Sequence, residues 1–228
     1  MRDDIVPKLV IVRHGESLAN ASNTFTGWND VDLSEKGITQ AEHAGNLLRQ
    51  LDFSPTMVHT SVLKRAIKTA NIIIDINDWL YLPIQKTWRL NERHYGALRG
   101  INKDKARADF GAEQVQRWRR DFNEVPPLLQ KADVERRYDL LDQSIMPRGE
   151  SLAMSYRRIL PYYADQIALH LRRGEDQLIV AHGSSLRLIV KYLERVSDQG
   201  SSAIEIQNAE PLVYELTPEL TIKHKIIL

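Results

Sequence analysis

The chain has 228 residues, with 31 Lys and Arg against 30 Asp and Glu and no cysteine. That length suits one large α/β domain over residues 1–228, and a net charge of +1 with 27% charged and 43% hydrophobic residues excludes a disordered chain and argues against a dedicated nucleic-acid surface. No Cys means no disulfide framework, thiolate nucleophile or Cys-based zinc site; no apolar run approaches a membrane span, and the start of the chain, with Asp3 and Asp4, has no apolar leader, so a soluble cytoplasmic protein is expected.

Taken in chain order, Lys8 to Val12 is a β-branched apolar run, as in a strand buried on both faces. Arg13-His14-Gly15 stands at its exit. Ser34 can cap a helix whose Ile38, Ala41, Ala44, Leu48 and Leu51 form one apolar stripe. Met57 to Thr60 predicts a second strand, and Lys64 to Ile76 a second helix. From Arg89 to Pro147 the periodicity weakens, leaving short helices at Lys103 to Phe110 and Gln114 to Phe122 within an insertion over the sheet edge.

Ser151 to Leu171 is helical by spacing, with Pro161 forcing a kink or restart. Leu178 to Ala181 and Leu186 to Leu193 give a further strand and helix, with His182-Gly183 between them. Pro211 to Tyr214 and Thr221 to Ile227 close the chain as strands at an edge, where proline is tolerated. The alternation of strands and helices predicts an α/β fold of three layers, a mostly parallel central sheet flanked by helices.

Two histidines at strand exits suggest phosphate chemistry, because ligands of open α/β sheets bind outside the carboxyl ends of the strands. His14 can carry a covalent phosphoryl group, Arg13 offers a planar fork of donors, and Ser184-Ser185 after His182-Gly183 open a helix whose N-terminal amides can attract an anion. Arg65, opening the helix after the second strand, lies on the same side. Glu92 is a candidate general acid if burial raises its pKa. A histidine is more often satisfied structurally than catalytic, so His43, His59, His170 and His224 are read that way. No histidine pair has helical metal-ligand spacing, so no metal is expected. Arg136-Arg137, Arg157-Arg158 and Arg172-Arg173 are read as solvated faces.

The ordered segments Leu9 to Ser17, Phe25 to Trp28, Asp32 to Gly37, Thr60 to Ala66, Leu90 to Gly96, Trp118 to Arg120, His182 to Arg187 and Pro211 to Leu216 closely resemble the cofactor-dependent phosphoglycerate mutases, relatives of the histidine phosphatases. The resemblance implies a phosphoglycerate mutase-like fold and interconversion of 3- and 2-phosphoglycerate in glycolysis and gluconeogenesis, with 2,3-bisphosphoglycerate as primer. It implies His14 as the phosphorylated residue, with Arg13, Arg65 and His182 around the transferring group and Glu92 as proton donor and acceptor. Ser17, Asn20, Thr26, Gly27, Gly183 and Ser184 match phosphate-side contacts. Arg93, Tyr95, Lys103, Arg119 and Arg120 match the grip on the rest of a small phosphorylated carboxylic acid, and the segment from Glu92 to Arg120 would keep water from the intermediate. Homodimers and homotetramers are common among such relatives.

Ala19 stands where the family usually has Trp, Ser184 where it has Asn, and Asn208-Ala209-Glu210 before Pro211 replaces a more usual Thr-Gly pair, while a lysine common after the Asn20 position is missing. The alternatives are a bisphosphoglycerate phosphatase or phosphomonoesterase using the same phosphohistidine, and a divergent binding paralogue of low activity.

Overall fold

A computed structural model describes residues 6–228; Asp3 and Asp4 lie outside them. The chain runs β1 (Lys8–Arg13), α1 (Leu18–Ala21), α2 (Glu35–Arg49), β2 (Met57–Thr60), α3 (Lys64–Ile76), β3 (Ile84–Lys86), α4 (Lys103–Phe110), α5 (Ala112–Arg120), α6 (Leu152–Tyr162), α7 (Ala168–Arg172), β4 (Gln177–Ala181), α8 (Gly183–Leu193), β5 (Pro211–Leu216) and β6 (Ile222–Ile227). The strands form one sheet in the order β3-β2-β4-β1-β5-β6. β3, β2, β4 and β1 are mutually parallel, and β5 and β6 add antiparallel pairs.

Successive strand residues point to opposite faces, which divides the core in two. Val10, Val12, Val58, Leu178, Val180 and Val213 meet Ala44 and Leu48 of α2 and Ala70, Ile73 and Ile74 of α3. On the other face Leu9, Ile11, Ile179, Leu212 and Tyr214 meet Ile159 and Tyr162 of α6 and Leu186 and Ile189 of α8. The result is the expected three-layer arrangement. α2 starts where Ser34 accepts a hydrogen bond from Gly37 N, at 3.1 Å.

Some elements differ from the sequence reading. Ile38, placed in the apolar stripe of α2, is 41% exposed; Gly37 and Gly45 complete the buried face instead. β3 was not anticipated: Gln85 and Lys86 are exposed and three residues at a sheet edge leave no alternation to read. β5 is not an edge strand, since it lies between β1 and β6, and Pro211 is tolerated because it is the first residue of the strand. Pro161 neither breaks nor ends α6 at once. The helix runs to Tyr162 and then widens into a π-helical turn, Tyr163–Ile167, before α7.

The insertion at 89–147 covers the strand exits rather than a sheet edge. Leu98, Ala106, Val115 and Trp118 pack around Phe25, and Tyr138 and Met146 around Trp28, both partners lying in the loop after β1. Arg158, read as half of a solvated pair, is buried at 6% exposure and bonds both oxygens of Glu150, Nε to Oε1 at 2.7 Å and Nη2 to Oε2 at 2.8 Å. Its remaining donors reach the carbonyls of Arg89, Asn91 and Glu92. An arginine with a long apolar stem can lie on a helix's buried face when a carboxylate and carbonyls satisfy it, and spacing alone does not reveal those partners.

No helix among the described residues is long and apolar enough to cross a membrane.

Candidate active site

The parallel order β2-β4-β1 places three strand exits side by side, so the residues just beyond them become neighbours. β1 and β4 pair with Arg13 opposite Ala181, and His14 N donates to Ala181 O at 2.9 Å. The rings of His14 and His182, far apart in sequence, stand edge to face with centroids 5.1 Å apart. Ser61, just past β2, places its Oγ 2.7 Å from His182 Nε2.

The hydrogen bonds fix how His14 can react. Nδ1 lies 2.6 Å from Gly15 O, a pure acceptor, so Nδ1 carries the proton and Nε2 keeps its lone pair. Arg65 Nε donates toward that Nε2 at 3.3 Å. Burial, followed by the charges of Arg65 and Arg13, holds the His14 pKa well below the usual imidazole value, which keeps the ring neutral and nucleophilic. His182 is depressed likewise, by burial first and then by Arg65. Its Nδ1 is buried with no protein partner.

Arg65 is fixed almost completely. Its Nη1 and Nη2 each donate to a backbone carbonyl, Asn29 and Gly27, at 2.8 Å, and burial lowers its pKa to about 10. Arg13 Nη1 donates to Ile206 O at 2.8 Å, while its Nε is buried without a partner. The loop around them tolerates no side chain at one point: a Cβ on Gly15 would sit 2.1 Å from Gly37 O, at the start of α2. Glu92 enters from the insertion. Its Oε1 accepts from Ser184 N at 3.1 Å, in the first turn of α8, and from Arg93 N at 2.8 Å.

These groups open into a cleft of about 190 Å³. Its cationic lining is Arg13, Arg65, Lys103, Arg119, Arg120 and Arg187, against the carboxylates Glu92 and Glu205. Burial lowers the pKa of Lys103 and Arg119, with each other or neighbouring arginines adding to the effect. The arrangement is an anion trap with a neutral nucleophile at its floor and a carboxylate beside it.

Residues 9–224 match the profile of the histidine phosphatase superfamily, branch 1. The chain belongs to that superfamily. It is 56% identical to 2,3-bisphosphoglycerate-dependent phosphoglycerate mutase 2 of Lactobacillus johnsonii, over 97% of each chain. It is 52% identical to 2,3-bisphosphoglycerate-dependent phosphoglycerate mutase 1 of Latilactobacillus sakei, over 95% of this chain and 92% of that protein. Among solved structures, one titled mycobacterial hydrolase 1 shares the fold with a TM-score of 0.73, at 24% identity over 97% of this chain and 96% of that one.

For this superfamily member, the cleft gathers most of the residues read from the sequence. Arg13, His14, Asn20, Thr26, Gly27, Arg65, Glu92, Tyr95, Lys103, Arg119, Arg120, Gly183 and Ser184 all line it. Three do not. Ser17 is wholly buried and caps α1: its Oγ accepts from Asn20 N at 3.1 Å, and Asn20 Oδ1 accepts from Ser17 N at 3.1 Å, so it aims Asn20 rather than a ligand. Arg93 is buried beneath the wall, with its guanidinium carbon 4.5 Å from the Tyr95 ring centroid and Nη2 donating to Arg119 O at 3.2 Å. His182 lies under the floor beside His14.

Sequence reasoning missed Thr24, Phe25, Arg187 and the segment Glu205 to Gln207, all in the lining. Arg187 was legible only as the fourth residue after the His182-Gly183 turn begins to form a helix, one turn up the same face. Glu205 to Gln207 carried no signal, because nothing in its spacing announces that β5 begins next to the floor. Of the four histidines read as structural, His59 is satisfied in the core by Tyr162 Oη at 2.8 Å and Gln177 Oε1 at 3.0 Å. His170 pairs with Glu175, whereas His43 and His224 are on the surface. Among the described residues no cluster of three or more His, Cys, Asp or Glu could hold a metal ion.

Proposed function

We propose that the protein interconverts 3-phosphoglycerate and 2-phosphoglycerate through a phosphohistidine at His14, primed by 2,3-bisphosphoglycerate, with residues 1–228 acting as one mutase unit. The observation that carries this reading is the cleft itself, whose six cations extend from the floor beside His14 to the wall formed by α4 and α5. A ligand with one phosphoryl group to transfer and further negative charge at its other end needs cations at both places. The names of the relatives agree with it.

In this reading His14 Nε2 attacks phosphorus, forming an N–P bond as the P–O bond to the glycerate oxygen breaks. Arg13 and Arg65 hold the oxygens of the transferring group; with Ser61 Oγ donating to His182 Nε2, the neutral ring carries its proton on the unpartnered Nδ1, which with Arg13 Nε gives developing charge further donors. Glu92 delivers a proton to the departing glycerate oxygen. In the reverse step it removes the proton from whichever hydroxyl attacks the phosphohistidine. Ser184 N and Arg93 N orient its carboxylate for both steps. Lys103, Arg119 and Arg120 retain the bisphosphate while it turns, so that transfer to the second hydroxyl competes with escape and with water.

An enolase-coupled assay with 3-phosphoglycerate and added 2,3-bisphosphoglycerate tests the reading. Isomerisation that depends on the bisphosphate is expected; release of inorganic phosphate without isomerisation would replace the mutase with a phosphatase.

A further inference from the structure

Glu205 is a carboxylate in a cleft otherwise built for anions, and its partner is one of the cations assigned to the ligand. Its Oε1 lies 3.0 Å from Arg120 Nη2, and Arg120 Nη1 donates to Ser202 O at 3.1 Å. Both ends of the Arg120 guanidinium are thus held by one short segment, residues 202–205, that is distant in sequence. The Arg120 side chain is 22% exposed and that of Glu205 is 62% exposed, so the pair sits at the mouth of the cleft. The other carboxylate, Glu92, accepts from the backbone amides of Arg93 and Ser184.

The neighbourhood explains why a counter-charge is present. Arg187 is buried at 8% exposure, and its Nε donates to Ile204 O at 2.8 Å, one residue before Glu205. Burial lowers the Arg187 pKa to about 10, with Arg120 the next contribution in the same direction. Arg120 and Arg187 thus add to each other's positive charge, Glu92 opposes this at Arg187, and Glu205 is the carboxylate that bonds Arg120 itself.

We propose that Glu205 is a specificity-determining residue: an internal counter-anion that occupies Arg120 in the free protein and competes for it with the distal charged group of the ligand. This rests on the mutase reading for the identity of the ligand. Two consequences follow. Binding exchanges one carboxylate for another at Arg120, so affinity for the bisphosphate is held below what the cations alone would give. The bisphosphate can then leave and re-prime other molecules, whereas an uncompensated wall would retain it.

The test is Glu205→Gln, an isosteric change at an exposed position, read by calorimetric titration with 2,3-bisphosphoglycerate and separately with inorganic pyrophosphate. Loss of the competing charge is expected to tighten both by roughly three- to fivefold, the size of a largely exposed ion pair. In steady state the bisphosphate concentration for half-maximal priming falls by a similar factor. Weaker binding would overturn the proposal and make Glu205 a strap that positions Arg120. Unchanged affinity would overturn it too. If the mutase reading alone were wrong, isomerisation would be absent from wild type and variant alike, while pyrophosphate would still bind the variant more tightly.

Discussion

The floor and the wall of the cleft are built by different means. At the floor, His14, Arg65 and His182 are each no more than 3% exposed, and strand register with backbone carbonyls sets their positions. At the wall, Lys103, Arg119 and Arg120 are half-buried on short helices, and Arg120 is placed by an ion pair with an exposed acid. The difference teaches a division of labour. In the proposed reaction the groups that make and break bonds are rigid and dry, where electrostatic effects are strong, and the groups that would hold the ligand are more exposed, where exchange is cheap.

Substitutions can break this contrast, the largest effect coming from the floor. His14→Ala removes the nucleophile while Arg65 stays held by the carbonyls of Asn29 and Gly27, and turnover is expected to fall by roughly 10³-fold or more with no phosphoenzyme detectable by mass spectrometry. Wall substitutions are expected to act mainly on ligand affinity.

The next effect concerns the strut between the two regions. Although burial alone pushes the Glu150 carboxyl upward, Arg158 beside it brings it below the usual carboxylate value. Arg158→Ala leaves that buried charge uncompensated and frees the carbonyls of Arg89, Asn91 and Glu92, so a loss of about 3–5 kcal/mol is expected in urea unfolding. A loss below 1 kcal/mol would show that the insertion is held some other way.

Acid sharpens the comparison because the neutral histidines belong to the floor and the core behind it. His59 is depressed to about 4 from 6.5 by burial, and His14 and His182 also lie well below 6.5. Below pH 6.5 the unfolded chain takes up protons that the folded chain refuses. Stability should therefore hold above that pH and decline as pH falls from 6.5 toward 4, with a steeper slope than in a His59→Gln variant. Melting curves across this window check it, and a flat profile would contradict it.

The smallest effect lies under the floor. Ala209 has φ +52°, a left-handed conformation that favours Gly, and its N–H donates to Arg13 O at 2.9 Å. Ala209→Gly relieves that strain but gains freedom when unfolded, so a net stabilisation of about 0.5–1 kcal/mol is expected, roughly 2 °C in Tm. Activity should be unchanged.

The same contrast governs what the sequence could disclose. Strands buried on both faces and helices with one apolar stripe announce themselves, which is why β1, β2, α3 and α4 were read with their bounds or within a residue. The floor was legible because a His-Gly turn after an apolar run has a physical meaning. Arg13, His14, Arg65 and the His182-Gly183 turn were read as phosphate chemistry from placement, Glu92 was a candidate acid that spacing alone does not single out, and the rest of the grip came only through resemblance. Glu205 and Arg187 reach the cleft through the packing of residues 202–207 against α5 and α8, and Arg158 is buried by a partner eight residues away on a loop. Such contacts follow from tertiary geometry, which local spacing does not encode.

The central claim is that His14 holds the phosphoryl group and that the wall keeps it from water. Incubation with 2,3-bisphosphoglycerate carrying a radiolabelled phosphoryl group, followed by quenching and product separation over time, tests both parts together. The label should appear on His14 and then in phosphoglycerates, with little inorganic phosphate. Label passing mainly to inorganic phosphate, or never residing on His14, would contradict the account.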